Sequence, residues 1–176
     1  MNIRGLGVDP KFLALKDLFR STKSRLLLIQ ETMHDCTQTI SYFRRMFPTW
    51  HMVATDAVGL FGGLVVLWDP TWIKAVAFQC FAGILILAYF RNCLDPVHIL
   101  NIYAPHRQRF PFWEKFLASE LFDIDSLLIG GDFNSTLCTD DIWGNGMKMD
   151  PIGHMICNAI IQNNFIDLQP DCRGPN

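Results

Sequence analysis

The sequence predicts an α/β (α+β) domain in which helices pack on a buried antiparallel or mixed β-sheet. Three observations carry this. Half of the 176 residues are hydrophobic and only 18% are charged, which supplies a core and excludes a disordered tail. Apolar, β-rich segments at 63–68, 73–81, 84–91 and 97–103 follow one another closely. Segments with helical periodicity stand on both sides of them.

Taken in order, Asp9 and Pro10 form a helix start, N-cap and then N1, and Phe12, Leu15, Leu18 and Phe19 recur at helical spacing. The apolar run 25–29 ends at Gln30 and Glu31, a buried strand with polar residues at its C-terminal end. A second helix is expected over about 36–47, with Ile40, Phe43 and Phe47 facing inward. The four β-rich segments follow, with turn signals at Asp69-Pro70 and Asp95-Pro96. Their spacing argues for hairpins. The run 83–90 is far shorter than the ~20 residues that span a bilayer, so it is a buried strand. A helix is expected at 112–121 and a buried strand at 126–129, closed by Gly130 and Gly131. Asp150 and Pro151 start a last helix, with Ile152, Met155, Ile156 and Ile160 on one face, and 165–168 begins a further strand. No linker, repeat or low-complexity tract divides residues 1–176, which are expected to form one domain. Strands followed by an abrupt end suggest that the natural domain continues past Asn176.

The formal charge of −2 excludes a molecule that is basic throughout, so any nucleic-acid contact needs local basic residues or metal ions. Arg44-Arg45 and the stretch 106–109 (His-Arg-Gln-Arg) are the local basic clusters. The second either faces phosphate or is a solvated loop. None of the six cysteines is spaced as C-x-x-C, which argues against zinc or an iron–sulfur cluster. The start of the chain is not expected to act as a secretory signal, being interrupted by Asn2, Arg4 and Asp9. The cysteines are therefore read as reduced, mostly buried thiols of an intracellular protein, cytoplasmic or nuclear. No membrane and no obligate protein partner are inferred.

The chemistry is concentrated where two buried strands end in carboxylates, at Glu31 and at Asp132. Either acid alone would serve equally to cap a loop or pair with an arginine. Together they offer hard oxygen ligands suited to Mg²⁺ or Mn²⁺, which keep some water and bridge to phosphate. Gly130 and Gly131 let the backbone bend or approach a ligand just before Asp132. Asn134 lies two residues on, on the same side if the chain stays extended. An acid that takes a proton from water and an amide that orients it form a hydrolytic pair. The alternative is an Asx-turn that only ties down backbone.

Five stretches in order resemble the endonuclease/exonuclease/phosphatase superfamily, and within it the endonuclease domains of plant LINE-type (non-LTR) retrotransposons. They are Asn-Ile-Arg-Gly-Leu-Gly at 2–7, Leu-Ile-Gln-Glu-Thr at 28–32, Gly-Gly-Leu-Val-Val-Leu-Trp at 62–68, Asn-Ile-Tyr-Ala-Pro at 101–105 and Ile-Gly-Gly-Asp-Phe-Asn at 129–134. Phe112-Trp113 fits the helix between the last two. The resemblance implies a two-sheet β-sandwich flanked by helices, incomplete here at its C-terminus, with the site at one rim. It implies metal-dependent phosphodiester hydrolysis, with Mg²⁺ (or Mn²⁺) as cofactor and DNA as substrate. By the same resemblance, Glu31 is the principal metal ligand and Asn2 lies beside the metal. Tyr103 stands near the scissile phosphate, Asp132 positions or deprotonates the attacking water, and Asn134 bonds the phosphate. His106 stands where the family often has asparagine. Nothing after Asn134 matches the family's later aspartate and Ser-Asp-His motif, and His154 reads as a helix residue. The chain by itself is therefore expected to be a poor catalyst. A phosphatase or phosphodiesterase of the same fold acting on other substrates, and an inactive remnant, are the alternative readings.

Overall fold

The computed structural model describes residues 1–7, 9–58, 61–137 and 150–168. Among the described residues, seven strands form two sheets. The first has the order β1-β3-β2, from β1 (Leu26–Gln30), β3 (Phe61–Trp68) and β2 (His51–Val58), all antiparallel. The second has the order β4-β5-β6-β7, from β4 (Ile73–Cys80), β5 (Gly83–Phe90), β6 (Val97–Tyr103) and β7 (Leu127–Asp132). Its pairs are antiparallel except β6–β7, which is parallel, so the sheet is mixed. With the flanking helices this is the expected two-sheet sandwich.

Strand period fixes the layers. In β3, Leu64, Val66 and Trp68 face the other sheet and pack on Ile84, Ile86, Ala88 and Ile99. The alternate residues Val65 and Leu67 face outward, where α1 (Asp9–Thr22) and α2 (Cys36–Met46) cover them with Phe12, Leu15, Phe19 and Phe43. On the far side, Leu100 and Ile102 of β6 pack against Trp113 and Phe116 of α3 (Arg109–Leu117) and Ile152 and Ile156 of α4 (Pro151–Gln162). The order of layers is helix, sheet, sheet, helix.

Several expectations need correction. The sequence reading passes over β2, because only Ala54 of its eight residues is buried and its polar side chains face out. α3 begins and ends earlier than 112–121. Gln108 adopts φ +55° before it, and Ser119 closes it by bonding Phe116 O through Oγ at 2.6 Å. β7 runs on through Gly130 and Gly131 instead of closing there, because its ladder with β6 continues to the pair Tyr103 and Asp132. A Cβ on Gly131 would stand 1.9 Å from Ile102 O, so this glycine permits close approach to the neighbouring strand. Residues 165–168 form no strand. Phe165 N–H instead caps the end of α4 at Ile160 O, and its ring stacks on Phe122 with centroids 4.9 Å apart. Asp150 does N-cap α4, accepting from Ile152 N–H. Cys36, Cys80 and Cys157 are free and half-buried and Cys93 is exposed, so the described thiols are less buried than expected. Cys138 and Cys172 lie outside the described residues. Among the described residues, no helix is long and apolar enough to cross a membrane.

Candidate active site at the sheet rim

Glu31 follows the last residue of β1, and Tyr103 and Asp132 are the last residues of β6 and β7. Because β6 and β7 run parallel, Tyr103 and Asp132 are direct partners across the ladder. The two sheets are fixed to each other just behind this rim. Gln30 and Asn101, both fully buried, meet between the sheets, with Gln30 Nε2 donating to Asn101 Oδ1 at 2.5 Å. Asn101 Nδ2 in turn donates to Ile29 O and Val65 O. A buried polar link that uses these groups sets the register of one sheet on the other, and so places Glu31 opposite Tyr103.

The N-terminal segment brings Asn2 to the same place. Ile3 N–H donates to Gln30 O and Gly5 N–H to Glu31 O, so the segment runs parallel beside the end of β1. Lys11 of α1 holds it there, its ammonium donating to the carbonyls of Ile3, Arg4 and Gly5. Lys11 has no motif in the sequence; it is one more polar residue on a helix. The structural signal is three carbonyls on one ammonium.

All five residues expected at the site thus stand at one rim. Tyr103 OH donates to Glu31 Oε1 at 3.0 Å. Asn2 Nδ2 donates to Asp132 Oδ2 at 2.7 Å, and Asn134 N–H donates to Asp132 Oδ1 at 2.9 Å. The last bond is an Asx-turn, so the modest reading of that motif and the catalytic one describe the same geometry. Asn134 Nδ2 donates to Ala104 O at 2.6 Å. The backbone leaves ordinary regions at two positions of the site: Glu31 has φ +57° and Asn134 φ +45°. A glutamate there is uncommon, and such conformations persist where surrounding bonds over-determine them. Burial, together with the Glu31 carboxylate and more distant Asp132, pushes the Tyr103 phenol up to about 12, so it stays a proton donor at neutral pH.

Among the described residues, neither Glu31 nor Asp132 forms an ion pair with lysine or arginine. The Met1 ammonium acts on Asp132 from beyond ion-pair contact while donating to Leu28 O. No group of three or more His, Cys, Asp or Glu side chains suited to a metal occurs among the described residues. Among the described residues, the two carboxylates Glu31 and Asp132 therefore constitute the anionic donor set at this rim. That set fits Mg²⁺ or Mn²⁺, which need only one or two carboxylates and keep several waters. It does not fit a closed structural zinc site. Asn2 Oδ1 already accepts from Arg4 N–H at 3.0 Å, so it would have to share that oxygen with an ion. His106 and Arg107 are exposed, and His154 faces solvent from α4.

No family model matches the sequence, and no curated protein does. Solved structures do match. An AP endonuclease from Archaeoglobus fulgidus superposes with a TM-score of 0.65 at 14% identity, covering 92% of this chain and 68% of that one. The 3′ phosphatase NExo from Neisseria, bound to a product DNA hairpin, gives 0.62 at 16%, covering 92% and 68%. The endonuclease domain of TRAS1, a telomere-specific non-LTR retrotransposon, gives 0.65 at 13%, covering 92% and 69%. The chain spans about two thirds of the length of these structures. The fold is the one these nucleases and this phosphatase share.

Proposed function

We propose that this chain carries a divalent-metal-dependent site for phosphodiester hydrolysis, with DNA as the substrate, of the kind used by retrotransposon endonucleases. One observation supports the reading above all. Two carboxylates from distant parts of the sequence are brought to one rim and held by neutral donors, Tyr103, Asn2 and Asn134, with no lysine or arginine among the described residues to neutralise them. A pair built only for stability would be matched with a cation or left apart.

Glu31 would hold the metal, with Asn2 beside it. Mg²⁺ or Mn²⁺ bound there would polarise the phosphate and stabilise the leaving oxygen. Asp132, oriented through both oxygens by Asn2 and by Asn134 N–H, would accept the proton of an attacking water. The Tyr103 hydroxyl and the Asn134 amide would face phosphate oxygens, replacing their present partners as donors to developing charge. The DNA-bound phosphatase and the retrotransposon endonuclease domain among the matching folds support nucleic acid as the substrate class.

Supercoiled plasmid and millimolar Mg²⁺ test the reading. The chain is expected to nick slowly, and Glu31→Gln, Asp132→Asn or EDTA should each abolish nicking. Nicking that survives all three would refute the assignment. Fast nicking would instead refute the expectation that the chain alone is a poor catalyst.

A further inference from the structure

Arg109 belongs to the basic stretch that the sequence leaves either facing phosphate or solvated. The structure places it in neither position. Its guanidinium turns inward, with Nη1 donating to Asn134 O at 2.6 Å and to Asp150 Oδ2 at 2.5 Å, and Nη2 reaching Asp150 Oδ1 at 3.5 Å. Asp150 holds the same loop from the other side, because Ser135 Oγ donates to its Oδ2 at 3.2 Å. Its Oδ1 accepts Ile152 N–H at 3.1 Å and so anchors the carboxylate to the start of α4. One arginine and one aspartate thus grip residues 134 and 135 against two helices.

We propose that Arg109 and Asp150 are positioning residues that hold the Asp132–Asn134 loop in its working conformation. Asn134 stands at φ +45°, and its carbonyl accepts from the Arg109 guanidinium. That same turn presents Asn134 N–H to Asp132 Oδ1 and sends Nδ2 to Ala104 O. If the carbonyl is released, the left-handed residue loses an acceptor bond that keeps it there, and the bond to Asp132 is free to open. A planar fork can bond the loop and the carboxylate together, whereas a lysine offers a compact point charge on a flexible stem. The loop-ordering half of this proposal stands on geometry alone; the catalytic half rests on the hydrolytic reading above.

Two measurements on the purified chain test it. The first is amide hydrogen exchange by NMR for wild type and Arg109→Lys. The clamp predicts that Asn134 and Ser135 amides exchange about tenfold faster or more in the variant, while Ile29 and Ile102 in the strands are unchanged. Unchanged exchange at Asn134, or equal loss across the sheets, would overturn the proposal. The second is plasmid nicking. The clamp predicts a fall in kcat, up to about a hundredfold, with KM and its salt dependence kept. A phosphate contact predicts a raised KM and a shallower salt slope with kcat kept, and that result would also overturn the clamp. If Arg109→Lys fails to fold, Asp150→Asn serves instead; it keeps an acceptor for Ile152 N–H and should speed Asn134 exchange in the same direction. If wild type does not nick at all, the hydrolytic reading fails while the exchange result still decides the clamp.

Discussion

The two rims of the sandwich use the same materials in opposite ways. At the rim opposite the candidate site, Arg25 at the start of β1 meets Asp69 after β3 at 2.7 Å. Asp69 also accepts from Thr71 N–H and Oγ1, and both Arg25 and Arg91 lie over the Trp72 ring. Its buried carboxylate thus has a cation and neutral donors together. At the site rim, Glu31 and Asp132 have neutral donors and, among the described residues, no lysine or arginine. Charge matching at one end closes loops, and its omission at the other would leave room for the proposed divalent ion and phosphate. On the proposed reading of the site, the difference separates stability from chemistry within one small fold.

The comparison breaks most sharply by exchanging acids at the two ends. Asp132→Asn or Glu31→Gln should lower Mg²⁺-dependent nicking by about a hundredfold or more. Asp69→Asn should leave the nicking rate within about twofold of wild type, since no chemistry touches that rim. Equal losses from both ends, measured on protein shown to be folded, would erase the distinction.

Stability should show the reverse order. Asp69→Asn weakens the bonds to Arg25 and Thr71 at a buried carboxylate and should cost about 1–3 kcal/mol in urea unfolding. Arg25 is half exposed, with 51% of its side chain accessible, so Arg25→Ala should cost less, about 0–1 kcal/mol. Removing the charge of Glu31 or Asp132 should cost little or even stabilise, because like charges at one rim repel.

How far the sequence shows this contrast depends on what each residue needs in order to be recognised. Glu31, Asp132 and Asn134 are legible because polar groups interrupt apolar strands, and strand ends lie at a rim. Asn2 and Tyr103 become candidates only by resemblance, since an asparagine near a chain start and a tyrosine ending an apolar run carry no signal of their own. Asn101 within β6 shows that a polar group is buried without showing that Gln30 is its partner. Arg109 and Lys11 are illegible for a common reason: each acts on backbone carbonyls, which every residue has. The overlooked strand β2 buries little but Ala54, so its alternation is muted.

A smaller effect sharpens the comparison through pH. For Asp69, burial pushes the carboxyl up, but the Thr71 bonds and Arg25 outweigh it and hold it below the usual range. For Asp150, burial likewise pushes up, and Ile152 N–H, Arg109 and Ser135 outweigh it. A depressed folded value gives stability that is present above the unfolded carboxylate pKa of about 4 and is lost as pH falls through the folded value. Acid unfolding followed by circular dichroism should therefore lose part of its slope below about pH 4 in Asp69→Asn and in Asp150→Asn. An unchanged acid limb in both would contradict these assignments.

If the site rim is an anionic seat for a divalent ion, Mn²⁺ binding read by electron paramagnetic resonance should report it. Wild type and Asp69→Asn should both take up Mn²⁺, Mg²⁺ should displace it, and Glu31→Gln should abolish the uptake. Uptake that is absent from wild type, or that persists undiminished in Glu31→Gln, would contradict it.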